Sequence, residues 1–348
     1  VICNPVSGGG LGRKVFTKVV KVMLDRSEVP YEVVFTEHAG HAYDVGADLD
    51  IDRYSAVAVI GGDCLLHELL QGLYSSSKTL STLELLLSRL PFAIVPAGTN
   101  DGLANSLGMP NAYLACKRML DAIYTGQDRP LDLYHAVRES SIAPDDGTET
   151  AADEESRVSE DQGCGVVDLT MTCWGFIADV EMITRRALGR FPRQVGRAIA
   201  ALVSVLRMDG KAGHIVLYCK EPIPKELSGL GLPEPKTWLT TIRGPIMSLT
   251  VTNVSHAAGD FIVDPNARCD DGVLSVCVIR SCSRWQAVKT LLAMRSGTHL
   301  ALPWIETYTC SKVYIRNDTG EVTVGGMGES ELDPRQPTEG PDGILLLS

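Results

Sequence analysis

The stretch AVAVIGGDCLLHELLQG, residues 56–72, constrains the fold more than any other part of the chain. Ala56-Val57-Ala58-Val59-Ile60 is too short for a helix and lacks polar alternation, so it reads as a strand buried on both faces, as in parallel sheets. Gly61 and Gly62 follow at once; without a Cβ they let the chain turn sharply and bring backbone N–H groups up to an anion. Leu65, Leu66, Leu69 and Leu70 then share one helical face. Asp63 stands between strand and helix, at the carboxyl end of a strand, where open α/β sheets bind their ligands. By itself the stretch supports two readings equally: a carboxylate beside a phosphate-binding turn, or an ordinary strand–helix turn with Asp63 as a helix cap.

Two neighbouring stretches have the same form. The opening VICNPVSGGGLGRK places Asn4, Ser7 and the glycines Gly8, Gly9, Gly10 and Gly12 after a short apolar run. It has neither the Gly-Lys-Ser/Thr ending of a P-loop nor the GxGxxG spacing, because Arg13 stands where the last glycine belongs. Val15, Val19, Val22 and Met23 follow at helical spacing, Tyr31 to Thr36 reads as a second strand, and His38 and His41 lie beyond it without a third metal ligand. In FAIVPAGTNDGLANSLG, Phe92–Val95 is a strand, Pro96–Asn100 a turn, and Asp101 the expected N-cap of the next helix. Ala112–Tyr124 is an amphipathic helix ending at Gly126. The three glycine turns together form a candidate backbone cradle for a nucleotide.

The chain has 348 residues, 45% of them hydrophobic, enough for two domains with sizeable cores. It opens at Val1, inside an apparent strand, so its native N-terminus and any anchor there are expected to be missing. Its ten cysteines show no CxxC pair and read as reduced thiols. The net charge of −11 disfavours nucleic acid, but residues 139–161 hold nine acidic residues and one basic, which is −8 and leaves about −3 for the rest.

From Leu131 the helix–strand alternation gives way to short β-like runs at 131–137, 166–172, 214–218, 246–254, 273–279, 312–316 and 343–347, the pattern of an antiparallel sandwich. The fold class expected is therefore a Rossmann-like α/β domain with a parallel sheet over 1–130, then an antiparallel β-sandwich over 131–348. A disordered acidic insert is expected at 139–163. In CWGFIADVEMITRRALGRFPR, apolar Phe176, Ile177 and Val180 alternate with Asp179 and Glu181 ahead of Arg185, Arg186, Arg190 and Arg193. This suits carboxylates on a substrate's polar end and arginines on phosphates, or equally an exposed strand end and a basic helix face. Trp285–Met294 is a helix that packs in the core, covers a lipid cavity or touches a membrane.

In order and spacing, the NPxSGGxxG opening, GGD-x-LLHE-x-x-x-GL, the PAGT turn, WGFIADVE and a late Gly-Glu pair resemble the diacylglycerol kinase-like lipid kinases. The stretch around Phe176 is most similar to sphingosine kinases. The resemblance implies an N-terminal nucleotide domain, a C-terminal sandwich holding a lipid, and ATP with Mg²⁺ between them. It implies that Asp63 takes the proton of a lipid primary hydroxyl as it attacks the γ-phosphate. Asn4, Ser7, Gly8, Gly9, Gly10, Thr36, Gly61, Gly62, Gly98 and Thr99 would line the nucleotide, Arg186 and Arg193 would reach its phosphates, and Glu329 would stand near it. Phe176, Ile177 and Val180 would line an acyl tunnel, with Glu181 or else Asp179 on the polar head. An amine suits a carboxylate, which favours a sphingoid base such as sphingosine. The metal ligands and the oligomeric state stay unassigned. The implied setting is the cytoplasm, with transient peripheral membrane contact.

The chain departs from the family pattern at three places: Cys64 for a glycine, Asn100-Asp101 for Gly-Asn, and Met327-Gly328-Glu329 for Asp-Gly-Glu. All three touch the nucleotide motifs. A lipid-binding or scaffolding protein with a decayed nucleotide site is therefore the second hypothesis, and a diacylglycerol or ceramide kinase is the nearest enzymatic one.

Overall fold

A computed structural model describes residues 1–139, 165–187, 193–207, 213–220, 240–242, 244–317, 324–326 and 343–347. The expected acidic insert at 139–163 lies, but for its first residue, outside them, and so does Glu329. The chain forms two compact units: residues 1–131 with 167–170 and 254–260, and residues 132–166, 171–253 and 261–348.

The first unit is built on a four-stranded parallel sheet in the order β2 (Val34–Phe35), β1 (Ile2–Cys3), β3 (Val57–Gly61), β4 (Phe92–Pro96). Every residue of β3 is buried, as its unbroken apolar run requires. Because all four strands run the same way, Asn4, Thr36, Gly62 and Ala97 all emerge at one edge. Helix α1 (Ser7–Val15) runs through a π-turn, Phe16–Val20, into α2 (Lys21–Arg26). Of the expected face, Val15 is in the core and Val19 and Met23 are half-buried against it, while Val22 is half-buried; across the wider π-turn Phe16, Val20 and Leu24 also enter the core. The strand read over 31–36 shrinks to two residues.

Helix α3 (His41–Ala47) crosses α4 (Asp63–Ser77), which buries Leu65, Leu66, Leu69, Leu70 and Leu73. The two backbones touch through glycines. A Cβ on Gly72 would stand 2.0 Å from Tyr43 O, and one on Gly46 2.2 Å from Leu69 O. Helix α5 (Leu80–Arg89) follows, then α6 (Gly102–Ser106) and α7 (Ala112–Thr125). The last ends as expected, on Gly126 with φ 66° and its N–H on Ala122 O.

The second unit is antiparallel. Strand β10 (Pro245–Thr252) pairs β13 (Leu274–Arg280) and β7 (Met171–Gly175), and β13 pairs β14 (Ile305–Cys310). At Pro245–His214, β10 joins a second group made of β8 (Gly213–Lys220), β15 (Lys312–Asn317), β17 (Gly343–Leu347) and β5 (Tyr134–Glu139). Ile246, Leu249, Val251, Val276, Val278, Val313 and Ile315 fill the core around Tyr134. The run read as one strand over 166–172 is two, Val166–Asp168 and Met171–Gly175, broken where Asp168 folds back on the N–H groups of Leu169 and Thr170.

The α3–α4 crossing yields a stability prediction. Alanine at 72 gains about 1 kcal/mol of helix propensity over glycine, yet its methyl has no room against Tyr43 O. Gly72→Ala should therefore lower unfolding free energy by about 2 kcal/mol or more in urea titration; an unchanged midpoint would refute the backbone contact.

Candidate functional site

The glycine turns read from the sequence meet at the carboxyl edge of the parallel sheet. After β1, Asn4 Oδ1 accepts the Val6 N–H at 3.1 Å, and Ser7 N donates to Asn4 O at 3.3 Å. Gly8, Gly9 and Gly10 then take φ values of 58°, 73° and 89°, a left-handed run that favours glycine. Gly8 packs on the turn after β4, where its Cβ would lie 2.6 Å from Ala97 O. Gly98 in turn packs on the turn after β3, where its Cβ would lie 2.3 Å from Gly62 Cα. The Thr36 N–H donates to Cys3 O at 2.9 Å, and Thr99 is exposed. Gly61 closes β3, and Ala97 N donates to its carbonyl at 2.9 Å. Such close backbone approach between turns needs glycine, because a Cβ at Gly8 or Gly98 would strike the neighbouring turn, and it brings backbone N–H groups together as an anion cradle requires.

Asp63 is the first residue of α4, and Gly62, not Asp63, occupies the cap position. Its carboxylate reaches across to α6, where Oδ2 accepts the Gly102 N–H at 2.7 Å and Oδ1 the Leu103 N–H at 3.3 Å. It is thus the N-terminal partner of α6, the role expected of Asp101. Asp101 does occupy the N-cap position of α6, but it stands left-handed, φ 51°, makes no side-chain cap bond, and its Oδ1 accepts the Gly98 N–H at 2.8 Å. Burial, then the nearby charge of Asp101, push the Asp63 carboxyl up to about 7; the Gly102 and Leu103 N–H groups pull the other way, and Asp168 adds a smaller upward push. Each carboxylate oxygen keeps a second lone-pair direction beyond the bond it accepts, so a group balanced between acid and base near neutrality can still exchange a proton.

Three groups that sequence reasoning missed complete this polar interior. One and two turns along α4 from Asp63, His67 and Gln71 continue the same face. The buried His67 Nδ1 stands 3.7 Å from Asp168 Oδ1, and neither ring nitrogen makes a hydrogen bond among the described residues. Gln71 clasps the backbone of Val167 from both sides, its Nε2 donating to the carbonyl and its Oε1 accepting the N–H. Burial raises the Asp168 carboxyl, but His67 and the N–H groups of Thr170 and Leu169 outweigh it and hold it below its ordinary range. The helical spacing 63, 67, 71 was the available signal; nothing in the sequence tied it to residue 168.

The candidate lipid-side residues lie in the second unit. Gly175, with φ 76° and room for no Cβ beside Met247 O, turns β7 directly into helix α8 (Phe176–Ala187). The strand end read at 176–181 is therefore helical. Ser248 Oγ accepts the Ile177 N–H and donates to Trp174 O, fixing the turn. Phe176, Ile177 and Val180 are buried on one face while Asp179 is exposed. Arg186 sits on α8 and Arg193 opens helix α9 (Arg193–Arg207); the side chains of Glu181, Arg186 and Arg193 are not among those described. No three His, Cys, Asp or Glu side chains gather as metal ligands among the described residues.

Known proteins place this architecture. Residues 1–136 match the diacylglycerol kinase catalytic domain, and residues 237–340 match the YegS C-terminal NAD kinase beta sandwich-like domain. Sphingosine kinase 2 of Arabidopsis thaliana is 24% identical over 88% of this chain and 62% of its own length. Sphingosine kinase 1 of Mus musculus is 24% identical over 87% of this chain and 77% of its own. The chain thus spans less than two thirds of the plant protein. A crystal structure of a diacylglycerol kinase from Bacillus anthracis str. Sterne superposes with a TM-score of 0.61 at 21% identity, covering 100% of this chain and 93% of that one, and so shares its fold. The parallel sheet with its converging glycine turns lies within the first match and strands of the antiparallel sandwich within the second, so residues 1–136 form a domain of the diacylglycerol kinase catalytic type.

Proposed function

We propose that this protein is an ATP-dependent lipid kinase that phosphorylates the primary hydroxyl of a sphingoid base, giving the 1-phosphate and ADP. The observation that carries the proposal is Asp63, a buried carboxylate held on two backbone N–H groups beside the glycine turns and poised near pH 7. Asp63 takes the hydroxyl proton as the lipid oxygen bonds to the γ-phosphorus and the bond from that phosphorus to the β-phosphate oxygen breaks. Gly8, Gly62 and Gly98 let the turns pack backbone against backbone, which gathers their N–H groups for the phosphates. Mg²⁺, when bound with the nucleotide, neutralises phosphate charge. Phe176, Ile177 and Val180 supply an apolar lining for an acyl chain, and Glu181 a charge for the amine.

A lipid substrate requires contact with a bilayer, and among the described residues no helix is long and apolar enough to cross one. Peripheral contact is supported by Ile199, Leu202 and Leu206 on α9 and by Trp285 and Leu292 on helix α10 (Arg284–Ala293), all solvent-exposed, with Trp285 at 75%. Arg284 bonds the two helices by donating to Leu206 O at 3.4 Å, and the exposed Arg207, Lys289 and Arg295 surround them with positive charge.

One observation favours the second reading, a lipid-binding protein with a decayed nucleotide site: the acidic Asp101 already holds the Gly98 N–H. A thermal-shift titration separates the two. A kinase is stabilised by ATP with Mg²⁺ as well as by lipid, a scaffold by lipid alone.

Assays with sphingosine, ceramide and diacylglycerol should give a phosphorylated product from sphingosine first. Asp63→Asn should lower its rate by about 100-fold or more, and equal turnover would remove Asp63 from the reaction. The base acts only when ionised, so wild-type kcat/KM should rise with pH and level off above about 7; a flat profile between pH 5.5 and 8.5 would contradict the role. In sedimentation with anionic vesicles, Leu202→Glu with Trp285→Ala should cut bound protein several-fold without altering nucleotide binding, and undiminished binding would place the contact elsewhere.

A further inference from the structure

Asp101 stands where the glycine turns meet. Its Oδ1, besides accepting the Gly98 N–H at 2.8 Å, lies 3.8 Å from the point a Cβ on Gly62 would occupy, and the Thr99 amide nitrogen lies 3.9 Å from that same point. The fold fixes its direction. Its φ is 51°, its carbonyl accepts from both the backbone and the side chain of Asn105, and it forms a β-bridge with Ala258. A carboxylate in this position uses a donor that a phosphate oxygen would use, and adds a negative charge beside the rest.

We propose that Asp101 is a specificity-determining residue of the cradle, a built-in anion that competes with nucleotide phosphates for the Gly98 N–H and repels their charge. The inference rests on the nucleotide reading of these turns. It makes the affinity for phosphate-bearing ligands, not for the nucleoside, the property that residue 101 sets. Asparagine accepts the same N–H through its amide oxygen and tolerates a left-handed backbone. Asp101→Asn therefore removes the charge and keeps the hydrogen bond, while Asp101→Gly keeps the backbone and removes the whole side chain.

The experiment measures binding of ATP, inorganic pyrophosphate and adenosine to the full chain by calorimetry and thermal shift, at pH 8 in chelator without metal. Asp101→Asn should bind ATP and pyrophosphate about tenfold more tightly than wild type, with adenosine unchanged, and Asp101→Gly should do likewise. Equal or weaker ATP binding in both variants overturns the inference. So does an equal gain for adenosine, which would place the effect in the fold and not in charge. If neither the wild type nor the variants bind ATP or pyrophosphate, the nucleotide reading itself fails and takes this inference with it. Binding of ATP with Mg²⁺ by the wild type, together with unaltered metal-free affinities in the variants, leaves that reading standing and removes only the role of Asp101.

Discussion

The first unit depends on a buried negative charge satisfied by backbone. Asp63 sits in the interior, where an unpaired carboxylate is expensive, and it is tolerated because two N–H groups at the start of α6 have no partner in their own helix. Each group meets the other's need. Burial still raises its proton affinity, so the protonated form favours the folded state: that contribution is fully present below the unfolded pKa near 3.8 and is lost as pH rises through about 7. Around this bond the same helix carries His67 toward Asp168 and Gln71 around Val167, so α4, which buries a row of leucines, is also a polar spine reaching two separate segments, the start of α6 and residues 167–168.

Much of this was legible in the sequence, and for definite reasons. The central strand announced itself by five apolar residues without alternation, and the turns by glycines whose freedom from a Cβ the structure uses, at Gly8, Gly62 and Gly98. Gly126 ended its helix where expected. Local signals failed where a distant partner decided the outcome. Asp101 had the sequence position of a cap, but the αL backbone turned its side chain toward Gly98 and left the capping to a carboxylate thirty-eight residues earlier. The π-turn at 16–20 widened the buried face beyond the ideal spacing, adding Phe16, Val20 and Leu24 to Val15. At 176–181 the alternation of apolar and acidic residues imitated a strand, while Gly175 gave the chain the sharp turn into a helix.

Asp168 shows why a site can be half visible. Its value lies in its position opposite His67, and that position comes from a short segment, 167–170, that belongs with the first unit although it follows the expected boundary at 130. Composition and periodicity describe neighbours along the chain. They carry no record of which stretch returns.

A second returning stretch has a consequence for how the protein is made. Helix α6 is only five residues long, and residues 254–260 cover it: the His256 N–H donates to Ser106 Oγ at 3.0 Å, Gly102 lies against His256 O, and Asn105 faces Gly259. So short a helix has little stability of its own. During synthesis the ribosome must therefore release more than a hundred further residues before the partner of Asp63 is enclosed, and the nascent first unit waits, incomplete, for a segment encoded within the sandwich half of the chain.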